Sequence, residues 1–219
     1  MKQSPLQVVI EIDSINPYRG EMMFILKRGF STDSLTHRIN MKYILPILLF
    51  LFSTQNTVHS LEYLGPNISD WPQTESRKVK DNFAAWLLIT PDCNWQQKWD
   101  TPPDVVPHFN EVGTVKKGQE IVILSFYVNP KTDTSNNAHV LCSLKVTRPD
   151  GTQSINQENI VCIKDILKGS PYNVRLSPAV LKFIGKEEDP IGIWIVEVKF
   201  DDVIRNVSLN LKTQFELQN

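Results

Sequence analysis

Apolar residues alternate with polar ones over most of the last 140 residues of this chain. In Glu120–Val128, residues Val122, Leu124, Phe126 and Val128 fall on one face. In Ala138–Thr147, residues Ala138, Val140, Cys142, Leu144 and Val146 face one way, and His139, Ser143, Lys145 and Thr147 the other. The next stretch, Arg148-Pro149-Asp150-Gly151-Thr152, is a turn: proline sets φ and Asp-Gly supplies the reversal. Asn159–Lys164 and Tyr172–Leu176 predict shorter strands, and Phe83–Thr90 predicts one near the start. Trp194, Val196, Val198 and Phe200 share a face, Asp201-Asp202 turns, and Val203 to Leu217 alternates again, which predicts a hairpin with one wet face. The helical candidates are single turns at Asp92–Trp99 and Pro178–Phe183. Short strands separated by Pro- and Asx-rich turns predict an all-β fold, a two-sheet antiparallel β-sandwich of about seven strands.

The start of the chain has a different pattern. Lys42 precedes the apolar run Tyr43 to Phe52, and polar residues follow, with Val58 and Ser60 spaced for a signal peptidase. The run is about half of what a bilayer span requires, so residues 41–60 predict a secretory signal peptide and no stable membrane span after its removal. Residues 1–40 are then an upstream extension. Met41 is the favoured true start, the alternatives being Met22, Met23 or a cytoplasmic tail. Mass spectrometry of the exported protein is expected to find an N-terminus near Leu61. Residues 61–82 form a lead-in and 83–219 the sandwich, with a periplasmic or secreted location.

Residues 61–219 carry 17 Lys and Arg against 20 Asp and Glu, a net of 17 − 20 = −3. Such a mild balance gives no electrostatic footprint for nucleic acid. Arg77-Lys78-Val79-Lys80 reads as a solvated approach to the first strand. Export exposes Cys93, Cys142 and Cys162 to oxidising conditions. Three cysteines allow one bond and one leftover. Cys142 and Cys162 lie on predicted strands, about twenty residues apart, and are expected to pair, which constrains the unfolded chain by roughly 3 kcal/mol. No C-x-x-C or H-x-x-H spacing points to a metal, and no cofactor is implied.

Three segments carry a resemblance: Val115-Lys116-Lys117-Gly118-Gln119-Glu120, Val146-Thr147-Arg148-Pro149-Asp150-Gly151, and Asp189-Pro190-Ile191-Gly192-Ile193-Trp194. Their order over residues 105–217 resembles bacterial exported immunoglobulin-like domains of the macroglobulin and related sandwich type. The resemblance implies a fold, not an activity. The thioester run of full macroglobulins is missing, so protease trapping is not implied.

Trp95 and Trp99 would share one face of a helical turn, and the stiff stretch Thr101 to Pro107, with Pro103, follows before His108. Tryptophan beside rigid backbone suits a binding hot spot, so Trp95, Trp99, Pro103 and His108 are the candidate binding residues; the competing reading has both rings plugging an open end of the sandwich. His108 and Cys93 lack the flanking signature of a nucleophile site. The carboxylates Asp104, Glu111, Glu187, Glu188 and Asp189 lack calcium-loop spacing. Asn67-Ile68-Ser69 and Asn206-Val207-Ser208 match glycosylation sequons. The reading that follows is an exported, non-enzymatic domain that binds another protein, as an immunity or inhibitor protein or as an accessory of an envelope assembly. The alternative is a small-ligand or carbohydrate-binding module using Trp95 and Trp99.

Overall fold

The computed structural model describes residues 68–101 and 107–219. The signal peptide, the upstream extension, Asn67 and Pro103 lie outside the described residues. A short 3₁₀ turn at Ile68–Asp70 leads into ten strands: β1 (Arg77–Lys80), β2 (Phe83–Thr90), β3 (Thr114–Lys116), β4 (Glu120–Val128), β5 (Asn137–Thr147), β6 (Gln153–Ile166), β7 (Arg175–Leu176), β8 (Leu181–Ile184), β9 (Gly192–Asp202) and β10 (Val207–Gln218). One helix, α1 (Trp95–Trp99), sits between β2 and β3.

The strands form two five-stranded sheets. In the first the order is β1-β2-β4, and β4 gives its far side to both short strands, β8 at Glu120–Ile123 and β7 at Phe126–Tyr127. In the second the order is β3-β10-β9-β5-β6. Pairing is antiparallel except where β3 lies parallel to the end of β10.

The all-β sandwich agrees with the sequence pattern; the strand inventory does not. Ten strands replace about seven, because β1 and β3 are four- and three-residue edge pieces rich in charge, too short to show a period. The first sheet takes in Arg77–Lys80, within the lead-in. Pro178–Phe183 is not a helical turn but leads into β8 (Leu-Lys-Phe-Ile), a four-residue piece too short to show which period it follows. Tyr172–Leu176 contributes only the two residues of β7. Asn159–Lys164 is part of a 14-residue strand.

The core lies between the sheets. Phe83, Ala85, Leu87 and Ile89 of β2, Ile121, Ile123 and Tyr127 of β4, and Phe183 of β8 face the alternating apolar sets of β5, β9 and β10. Phe183 packs on Trp194 and Phe215 at ring separations of 5.0 and 4.7 Å, and Tyr127 packs on Phe200 at 5.7 Å. Each such side chain contributes roughly 1.5–3 kcal/mol by leaving water.

Turn chemistry helps fix the register within the second sheet. Gly151 takes φ +82° in the β5–β6 reversal, where the Arg148 carbonyl accepts from its N–H at 2.9 Å. Gly192 opens β9 at φ +122°, a conformation that strains any larger residue, and a Cβ there would come within 3.2 Å of Pro149. At the other end of the sandwich Arg205 ties the sheets together. Its Nε donates to Asp202 at 3.1 Å, and its Nη atoms donate to the carbonyls of Asp81 at 2.6 Å and Asn129 at 2.8 Å. Asp202 is buried and also accepts from the Lys131 N–H at 2.8 Å, so this charge is paired and hydrogen-bonded rather than stranded.

Candidate functional site

The two sheets treat their outer faces differently, and the candidate residues fall on one or the other. The outer face of the first sheet is apolar. Val122, Leu124 and Phe126 of β4 point there, together with Leu176 and Val180. The described parts of the connection from β2 to β3 pack over them, with Trp95 and Trp99 of α1 and Phe109 on that face. Trp99 meets Phe126 at 5.4 Å, Phe109 meets it at 6.3 Å, and Trp86 of β2 stacks on it at 5.2 Å.

Asp92 holds this flap closed. One carboxylate oxygen accepts from Lys98 Nζ at 2.7 Å and from the Asn110 N–H at 2.9 Å; the other accepts from Asn110 Nδ2 at 2.7 Å. Residues at both ends of the connection are thereby fastened to one side chain. Burial by itself pushes the Asp92 carboxyl up, but the Lys98 ammonium and the donors from Asn110 and Thr90 outweigh it and hold the group well below the usual carboxylate range.

Trp95 and Trp99 do share a helical turn, and both rings are turned inward, only 8 % and 3 % exposed. They close the outer face of a sheet, not an end of the sandwich. A ring that stacks on a sugar needs a free face, and neither of these offers one. Trp95 still borders, with Cys93 and Lys182, a hollow of about 150 Å³. Cys93 is a free, exposed thiol. His108 is exposed. Cys142 and Cys162 form the disulfide, joining β5 to β6. Asn206 stands exposed in the β9–β10 turn at φ +59°, not within a strand.

The outer face of the second sheet is largely polar, with Val161, Ile166 and Ile193 exposed on it, and it is uncovered among the described residues. Here lies a depression of about 410 Å³, lined by Lys145 of β5, Glu158 of β6, Glu197, Lys199 and Asp201 of β9, and Asn210 of β10. Its charges are already ordered. Lys145 pairs with Glu197 at 2.6 Å, Lys199 pairs with Asp201 at 2.9 Å, and Ser208 Oγ donates to Asp201. The rim strand β6 has a neighbour on one side only among the described residues. It shifts register against β5 at three places, and Asn159 takes φ +58° there. Such irregularities lift and bend an edge strand, and the depression lies against this bent portion, with Asn156, Glu158 and Asn159 in its lining. Sequence reasoning missed this surface. Its alternating polar positions were legible, but the β6 bulge that walls it was not.

Among the described residues no three His, Cys, Asp or Glu side chains are grouped to hold a metal ion, and no helix is long and apolar enough to cross a membrane. No family model matches the chain, and no curated protein matches it. Solved structures resemble it only remotely. A family 123 glycoside hydrolase from Clostridium perfringens is 10 % identical at a TM-score of 0.33, over 62 % of this chain and 27 % of that one. An alkylpurine DNA glycosylase from Pseudomonas fluorescens, bound to DNA containing an abasic site analog, is 11 % identical at 0.30, over 49 % and 28 %. A Niemann-Pick type C2 protein from Japanese carpenter ant is 11 % identical at 0.30, over 67 % of this chain and 96 % of that one. This chain thus spans about a quarter of the length of the first two, and likenesses of this extent carry no functional argument.

Proposed function

We propose that this chain is an exported, non-enzymatic domain that binds another protein through the outer face of its second sheet. The observation that carries the reading is the open depression bounded by Lys145, Glu158, Glu197, Lys199, Asp201 and Asn210. Small-molecule sites are enclosed and mostly apolar, with aromatic walls. This one is open and bears both signs of charge on rigid strands. Such a surface suits complementary side chains of a protein, where paired charges supply specificity and register. The signal-peptide pattern at residues 41–60 and the disulfide support work outside the cytoplasm. Within that class the concrete forms are an immunity or inhibitor protein that blocks a periplasmic toxin or hydrolase, and an accessory subunit of an envelope assembly.

The test uses two arginine substitutions at exposed positions. Asn210→Arg fills the depression; Gln96→Arg alters the flap over the first sheet. A partner purified with the wild-type protein is expected to be lost with Asn210→Arg and kept with Gln96→Arg. Equal retention by both variants, or no stoichiometric partner for the wild-type protein, contradicts the reading.

A further inference from the structure

The rim strand β6 carries a second message, distinct from the depression beside it. It is an edge of 14 residues, and two of its apolar side chains, Val161 and Ile166, are 52 % and 53 % exposed. An edge of this kind is a template for another strand. What it accepts is read from the order of its outward residues.

On β5 the inward set is Ala138, Val140, Cys142, Leu144 and Val146, so the β6 residues opposite Asn137, His139, Leu141 and Lys145 lie on the outer face. These are Ile166, Lys164, Val161 and Asn156. Glu158 falls in the register shift between Ile160 and Gln157 and reaches the same face, since it lines the depression with Asn156 and Lys145. The outward series is therefore Asn156, Glu158, Val161, Lys164, Ile166, all exposed. One register shift lies on each side of Val161, at Cys162 and at Glu158–Asn159. The series is thus symmetric in spacing about Val161, while its two charges are opposite in sign.

We infer that β6 pairs antiparallel with β6 of a second copy of this chain, with Val161 on the twofold axis. In that register Val161 meets Val161 of the partner copy, and Glu158 meets Lys164 twice. In the same register Ile166 meets Asn156, Cys162 lies opposite Ile160, and Glu158–Asn159 lie opposite Lys164–Ile163, so each strand carries one irregularity on either side of the axis. An isologous contact needs such a self-complementary strip, and cross-strand pairs of opposite charge favour the register while like charges oppose it. The two second sheets, of five strands each, become one sheet of ten, and the depression appears twice on one side of it. A single strand pair is narrower than a standard interface of about 1,200–2,000 Å², so the association is weak and concentration-dependent. The irregular edge also limits pairing with arbitrary strands.

The test is sedimentation of the purified native protein up to about 100 µM, a range set by weak association. The wild-type protein is expected to dimerise. Glu158→Lys sets lysine against lysine at both crossings, and Lys164→Glu sets glutamate against glutamate, so each variant alone is expected to dimerise at least about tenfold more weakly. Mixing the two variants makes both charged cross-strand pairs complementary and is expected to restore a heterodimer, as is the double swap within one chain. A wild-type protein that stays monomeric overturns the inference. So does a dimer indifferent to both substitutions, or a mixture that fails to recover. Lys164 does not line the depression, so Lys164→Glu separates the two surfaces: loss of the dimer with retained partner binding leaves the proposed function standing.

Discussion

The first sheet hides its outer face and the second shows it, although both bury their inner faces in the same core. On β4 of the first sheet eight of nine residues are buried. Ile121, Ile123 and Tyr127 point into the core and Val122, Leu124 and Phe126 point out under the α1 flap. On β9 of the second sheet Trp194, Val196, Val198 and Phe200 are buried, while Ile195, Glu197 and Asp201 between them are only half-buried and Lys199 is exposed. A strand covered on both sides reads as a continuous apolar run, and a strand wet on one side reads as an alternation. The difference teaches where to look for a partner: an apolar face already covered by its own chain is spent on stability, whereas an ordered polar face is still open.

The largest way to break this contrast is to empty the covered face. Phe126→Ala removes the ring on which Trp86, Trp99 and Phe109 converge and should cost about 3–5 kcal/mol in denaturant unfolding. Gln214→Ala on the uncovered face should change stability by no more than about 0.5 kcal/mol. Comparable losses at both positions would mean that the second sheet is covered too.

Next comes the disulfide, which holds an edge strand that otherwise has one neighbour. Replacing Cys142 and Cys162 together by alanine opens a loop with a sequence separation of 20 and should cost about 3 kcal/mol. Hydrogen exchange is expected to rise along β6 more than along β4.

The flap clasp comes third. Asp92→Ala leaves Lys98 and Asn110 without their acceptor and should cost about 1–3 kcal/mol. The pH dependence has a definite sign. The folded Asp92 carboxyl titrates below its ordinary value, so its contribution is fully present above the unfolded value of about 3.9. It fades as pH falls through the folded value. Asp92→Asn should therefore flatten the loss of stability below about pH 4, and unfolding curves at stepped acid pH will show it.

The smallest effect belongs to the open face. Lys145→Ala breaks a part-exposed pair with Glu197 and should cost about 0–1 kcal/mol, an effect that added salt screens.

Much of this is legible in the sequence alone. The boundaries of β2 and β4, the pairing of β9 with β10 and the Cys142–Cys162 bond follow from alternation and cysteine count, but the hairpin turn is Val203–Asn206 and not Asp201-Asp202, which β9 takes in. The helical spacing of Trp95 and Trp99 was also legible, but the surface they cover was not, because a single turn does not say what it packs against. Grouping Val122, Leu124 and Phe126 on one face was right, and the neighbouring Ile121, Ile123 and Tyr127 show why alternation alone misleads on a strand buried on both sides. The length of β6 was hidden by its polar run from Asn156 to Asn159 and by its register shifts, which erase period two. That same irregularity builds the wall of the depression, so the least readable strand is the one that shapes the candidate surface.

The most direct test places a photo-crosslinking residue at Asn210 in one protein and at Gln96 in another, each produced in its native cell. The account predicts a discrete adduct with a different protein from position 210 and none from position 96. An adduct from position 96 alone, or from neither position, would contradict it.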